Sequence, residues 1–359
     1  MKRNVYLDLA AQGLRMPIGT DLVLHEQPDP DAVTHDGARL GAVVVDAARR
    51  YGTPLAMPLM DLRIEKAAML RALGIAEADI DSWHFGTAPS DAMFEAVERG
   101  LSYTAHARPL ANLRAIEYAA GQPDLIAAGM AIGPFSLMTK LLADPITPVY
   151  LAGTGLTADD EPEVGMVERV LELATQVILR SLAAQCDAGA KIICICEPAA
   201  NTVYLSPHQL DAAPGCNIFD RYVMTFNRRV KALLDARGVD LMFHDCGELR
   251  PDMIEAFGTL DPAILSLGSS RTLWADAPHV PKTTVLYGNL PSKRFYDDTL
   301  VSVADVIAQS DELIDRMAAA GHPFILGSEC DVLSVPGSHD TIRGKVEAML
   351  RRSTATAGT

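Results

Sequence analysis

The sequence predicts an α/β fold, a single (β/α)8 barrel with an N-terminal extension, and three observations predict it. Short apolar runs that end in Gly, Pro or a polar residue alternate with amphipathic stretches of helical length. About eight such runs fit into 359 residues, the number and length that suit a closed barrel. No GxGxxG follows the first run, which removes the main support for an open dinucleotide-binding sheet.

In chain order, strands are predicted at 54–59 (PLAMPL), 83–86 (WHFG), 126–132 (IAAGMAI), 191–196 (KIICIC), 240–243 (DLMF), 263–267 (AILSL), 284–286 (TVL) and 323–326 (PFIL). Between them, residues 41–51, 62–73, 164–188, 219–237, 249–257 and 302–320 place apolar side chains three and four apart with charges between, the mark of helices with one buried face. Strand and helix in this alternation imply parallel strands joined by right-handed crossovers. One domain is expected over 1–352, with 1–40 as the extension, 152–162 as a long surface loop and 353–359 as a frayed polar tail.

Bulk chemistry narrows the function. The net charge of −15 repels phosphate backbones and anionic lipid surfaces, so neither nucleic acid nor membrane is an expected partner. No run is long and apolar enough to span a bilayer, and Asp8 interrupts what a secretory leader would need as an apolar core, so a cytoplasmic protein is expected. Six cysteines are too sparse for a disulfide scaffold in a chain of this length.

The chemistry concentrates in two segments. Asp240-Leu-Met-Phe-His-Asp-Cys-Gly-Glu248 reads as a buried strand running into a glycine turn. Residues two apart on a strand share a face, so His244 and Cys246 point one way and Asp245 the other. Pro323-Phe-Ile-Leu-Gly-Ser-Glu-Cys330 ends another strand, and as the last of the barrel it delivers Cys330 to the same rim. One imidazole and two thiols with a fourth position open form the donor set of a catalytic zinc site. The same residues read equally well as a strand-end histidine and two small core fillers.

The chain resembles the uroporphyrinogen decarboxylase superfamily, in its branch of zinc-containing, methylcobalamin-dependent methyltransferases. The likeness is carried by Arg15-Met-Pro17, by Tyr51-Gly52 with Asp61-Leu62-x-x-Glu65, and by Gly133-Pro134-Phe135-Ser136. It continues through Glu197-Pro198-x-Ala200, Leu205-Ser206-Pro207, His244-x-Cys246-Gly247, Gly288-Asn289-Leu290-Pro291 and Gly327-x-x-Cys330. The resemblance implies that His244, Cys246 and Cys330 bind Zn2+. It also implies that a corrinoid, methylcobalamin or a corrinoid protein, carries the methyl group to or from a small acceptor such as a thiol or tetrahydrofolate. No DxHxxG segment is present to ligate cobalt, so the corrinoid is expected as a separate partner.

Two departures from the family pattern matter. The decarboxylases carry an arginine-rich entry segment, where this chain has only Arg15, which disfavours a metal-free decarboxylase of a many-carboxylate ring. Glu197 stands where many relatives place Asp. It is a candidate catalytic base, fourth zinc ligand or partner of His244, against a plain helix-capping carboxylate. Asn289 and Asp61 are candidate substrate-binding residues, and a demethylase of a methoxylated compound is the reverse use of the same chemistry. Gly133-Pro-Phe-Ser136 could hold a ligand on its amides or be a strand-end turn. Cys194 and Cys196 read as barrel filling, and His84, His208, His279, His322 and His339 as surface or turn residues.

Overall fold

The computed structural model describes residues 4–211 and 217–351, so the tail expected at 353–359 lies outside the described residues. Eight parallel strands, β1 (Arg15–Ile18), β2 (Leu55–Ala56), β3 (Ile126–Ile132), β4 (Ile192–Cys196), β5 (Asp240–Asp245), β6 (Ile264–Leu267), β7 (Val285–Leu290) and β8 (Phe324–Asp331), form one curled sheet. Their order, β1-β8-β7-β6-β5-β4-β3-β2, places the seam between β1 and β2. This is the (β/α)8 barrel the alternation predicts. Across the seam, the Thr20 hydroxyl donates to the Met57 carbonyl at 2.6 Å.

Seven of the expected strands are present, and 83–86 is not among them. That segment is a loop, tied by the Phe85 amide to the Leu141 carbonyl at 2.9 Å and packed edge-on, Trp83 against Phe85, with ring centroids 4.5 Å apart. The remaining strand is β1, inside the N-terminal extension. Its Pro17 has no N–H to offer a ladder, which a strand paired on one side only can tolerate.

The period of two sorts side chains into two cores. On β4, Ile192, Cys194 and Cys196 face the lumen, with Met16, Met57, Met130 and Met242 from neighbouring strands, while Ile193 and Ile195 face the helices. Cys194 and Cys196, with sulfurs 3.8 Å apart, are fully buried lumen residues, as the apolar run around them predicts. The helix Asn4–Ala11 closes the floor: Tyr6 is buried there and its hydroxyl donates to the Asp240 carboxylate at 3.1 Å.

Outside the sheet the helices bury one face each. Gly37–Arg50 is capped by Asp36, which accepts from the Ala38 and Arg39 amides. Val303–Ala320 begins with a reciprocal pair between Ser302 and Asp305 and ends at the left-handed Gly321. The longest, Pro162–Asp187, follows a loop shorter than the one expected at 152–162, because residues 152 and 153 end the helix Ile146–Gly153 and Pro162 opens the next. No described helix is long and apolar enough to cross a membrane. His322, expected as a surface or turn residue, directly follows the turn at Gly321 and is buried, with its Nε2 3.0 Å from the Thr284 carbonyl.

Candidate metal centre

β5 and β8 bring His244, Cys246 and Cys330 together at the C-terminal mouth, their ligand atoms all within 4.8 Å of one another. Met242 faces the lumen, so alternation carries His244 and Cys246 inward as well. Asp245 points outward and its Oδ1 accepts from the Gly247 amide at 2.7 Å, forming the turn that presents Cys246. Gly268, at the end of β6, lies against the Cys246 backbone, where a Cβ would come within 2.8 Å of it.

Cys330 needs more than alternation. Ile325 faces the lumen, so strict alternation would turn residue 330 outward. The β1/β8 register is irregular between Met16↔Gly327 and Ile18↔Asp331, the stretch that carries Cys330, and the thiol nonetheless joins His244 and Cys246.

The imidazole is held from one side only. His244 Nδ1 lies 2.8 Å from the Ser266 hydroxyl, while Nε2 is buried and has no hydrogen-bond partner. An orphaned ring nitrogen at 1% exposure, facing two thiols, is costly unless something bonds to it. Tetrahedral ligation with bonds of roughly 2.0–2.3 Å separates donors by roughly 3.5–3.8 Å, so a small inward closure of the set would accommodate a borderline-soft divalent cation.

The two thiols divide one burden. Donation from Cys330 holds Cys246 well below the usual thiol range, helped by His244 and the Lys293 ammonium and opposed by burial. The same contact, with burial, pushes Cys330 up. Burial alone would lower Lys293, but the Cys246 and Cys330 sulfurs beside it raise it. Ser266 and Lys293 thus act on the site without being expected as its members. Ser266 hides inside the apolar run Ile264–Leu267, where only its pairing with His244 reveals it.

Beside Cys246 opens a cavity of about 480 Å3 whose wall includes Ser269, Arg271, Trp274, Asn289, Arg294 and Glu329. Asn289 therefore borders the site, with its amide nitrogen committed to the Gly268 and Arg271 carbonyls at 2.7 and 2.8 Å. Asp61 is not on this wall. It is ion-paired to Arg63 and Arg108 at 2.9 and 3.0 Å, and these cations pull its carboxyl below the usual range against the effect of burial. A larger cavity of about 770 Å3 lies at the other end of the barrel, between the N-terminal helix and Val303–Ala320, away from the thiols.

Glu197 is fully buried and both its oxygens are occupied. Oε1 accepts from the Phe135 amide at 3.1 Å and the Asn227 side chain at 2.8 Å, and Oε2 from the Ser136 amide at 2.8 Å. Gly133 makes room for it, since a Cβ there would stand 2.1 Å from the carboxyl carbon. Glu197 is thus the capping carboxylate, and the GPFS turn and the EPAA segment are two halves of one interlock. The roles of base, fourth ligand and partner of His244 do not fit this placement. Arg15 likewise lies away from the mouth, at the start of β1, where it donates to the Met349 and Arg351 carbonyls.

Eight parallel strands with an imidazole and two thiols converging at their C-terminal ends define a barrel protein with a candidate metal centre at the mouth. The chain belongs to the uroporphyrinogen decarboxylase (URO-D) family, whose sequence signature matches residues 33–349. A comparison with curated protein sequences gives no significant match. Among solved structures, a methyltransferase from Methanosarcina mazei is similar in fold, with a TM-score of 0.66 and 15% identity over 97% of this chain and 98% of that one.

Proposed function

We propose that the protein is a zinc-dependent methyltransferase that moves a methyl group between a corrinoid, methylcobalamin or a corrinoid protein, and a small acceptor such as a thiol or tetrahydrofolate. The observation that carries this reading is the buried, unpartnered Nε2 of His244 facing the Cys246 and Cys330 thiols. Likeness in fold to a protein described as a methyltransferase supports it.

His244, Cys246 and Cys330 would hold the metal. When bound, zinc lowers the pKa of a ligating thiol, so that a nucleophilic thiolate is present at neutral pH. The chain's own residues supply the rest. Ligation through Nε2 requires the proton on Nδ1, and the Ser266 hydroxyl stands 2.8 Å away to accept it. Lys293 offsets the negative charge of the sulfurs. The cavity beside Cys246 takes a small molecule against Ser269, Asn289 and Arg294, whereas a bulky corrinoid must present its methyl group from outside the mouth. Arg15, the one arginine of the entry segment, lies at the floor and not on the cavity that Arg271 and Arg294 border, which argues against the entry-segment grip of a many-carboxylate decarboxylase.

Metal analysis and a methyl-transfer assay test the reading together. Purified protein should carry near-stoichiometric zinc and transfer methyl from methylcobalamin to a thiol, and Cys246→Ser and Cys330→Ser should lose both. Full activity in chelator-treated, zinc-free protein would overturn it.

A further inference from the structure

Among the described residues, no carboxylate oxygen joins the three ligand atoms in a group all within 4.8 Å of one another. Glu197 caps the turn after β3. Glu329 accepts from the Ser269 amide and hydroxyl through Oε2 and from the Lys293 amide through Oε1. Asp331, whose Oδ1 is buried without a hydrogen-bond partner, stays outside the group of three. What stands against the cluster is a sulfur: the Met60 thioether lies 3.7 Å from the Cys330 sulfur, reaching over the seam from the segment after β2. That separation matches the spacing of roughly 3.7 Å between sulfur ligands on one tetrahedral zinc.

We propose that Met60 is a fourth, displaceable donor to the metal held by His244, Cys246 and Cys330, an inference that rests on the metal reading given above. A thioether suits the task because it is neutral and a weak donor. Two thiolates already balance a divalent cation, so a thioether keeps the buried centre uncharged, whereas a carboxylate would leave it negative. An anionic thiolate arriving from the cavity outcompetes it, and the unbranched methionine side chain swings aside with little resistance. The segment is anchored for this: the Thr20 hydroxyl holds the Met57 carbonyl three residues earlier.

Zinc-edge X-ray absorption on the full-length zinc-loaded protein and on Met60→Leu reads the donor set directly. Wild type should show three sulfurs and one imidazole, and Met60→Leu two sulfurs with an added light donor from water. Addition of 2-mercaptoethanol should leave the wild-type sulfur count unchanged and restore the third sulfur in the variant. Leucine nearly conserves volume, and if the variant failed to fold the wild-type sulfur count would still decide. A wild-type shell with two sulfurs, or equal counts in both proteins, overturns the role of Met60 and leaves the three-ligand site standing. A wild type that takes up no zinc overturns both.

Discussion

His244 and Ser266 pair across β5 and β6, and the imidazole Nδ1 lies 2.8 Å from the serine hydroxyl. This contact fixes the orientation of the ring, with Nε2 turned toward the thiols. Such partners typically carry 10–100-fold in metal affinity. Ser266→Ala should therefore weaken zinc binding by about tenfold in a chelator competition titration, with the circular dichroism spectrum unchanged. Unaltered affinity would show that the hydroxyl is mere filling.

The thiols make zinc affinity depend on pH. Cys330 is pushed up and keeps its proton against Cys246, so ligation by both sulfurs must expel that proton. Affinity should rise with pH between about 5 and 8, and binding should acidify a weakly buffered solution. A flat affinity over that range would argue against ligation by two thiolates.

Glu197→Ala removes the acceptor of two backbone amides and of the Asn227 side chain in a site with no water access. A loss of about 3 kcal/mol in urea unfolding is expected, from orphaned donors and a cavity. The zinc content of the protein that remains folded should be normal. Loss of zinc at full stability would instead place Glu197 on the metal.

Glu65, outside the three-ligand group, provides a second pH test. One oxygen accepts from the Ser181 hydroxyl at 2.8 Å, the other is buried without a partner, and burial pushes the carboxyl up to about 7 from an ordinary 4.5. The fold thus holds this proton more tightly than the unfolded chain does. Its contribution is complete below the unfolded value and is lost as pH rises through about 7, at most about 3 kcal/mol. Glu65→Gln should flatten the decline of Tm between about pH 4.5 and 7, and an identical slope in both proteins would count against it.

Much of this architecture is legible in the chain. The strand 126–132 is found residue for residue, and the His-x-Cys spacing becomes a shared face because β5 keeps its period of two through Asp245. What resists reading is set by partners remote in sequence. Arg15–Ile18 has too few residues and one proline too many for a strand pattern, and only pairing with β8 makes it one. The segment 83–86 has the aromatic content of a strand but spends it on a ring contact and loop packing. Cys330 joins His244 and Cys246 although strict alternation from Ile325 would turn it outward, which no pattern announces. Glu197 looks catalytic in isolation because its true partners, the Phe135 and Ser136 amides, lie some sixty residues earlier. Asp61 and Asn289 show the same ambiguity: one is spent on two arginines, the other borders the cavity while bracing a loop.

The tyrosine that stoppers the barrel floor makes the lumen a cul-de-sac. If the proposed methyl transfer takes place here, a large carrier seated over the mouth would cover a small molecule held beside Cys246, and the two would have to be loaded in sequence, the small one first.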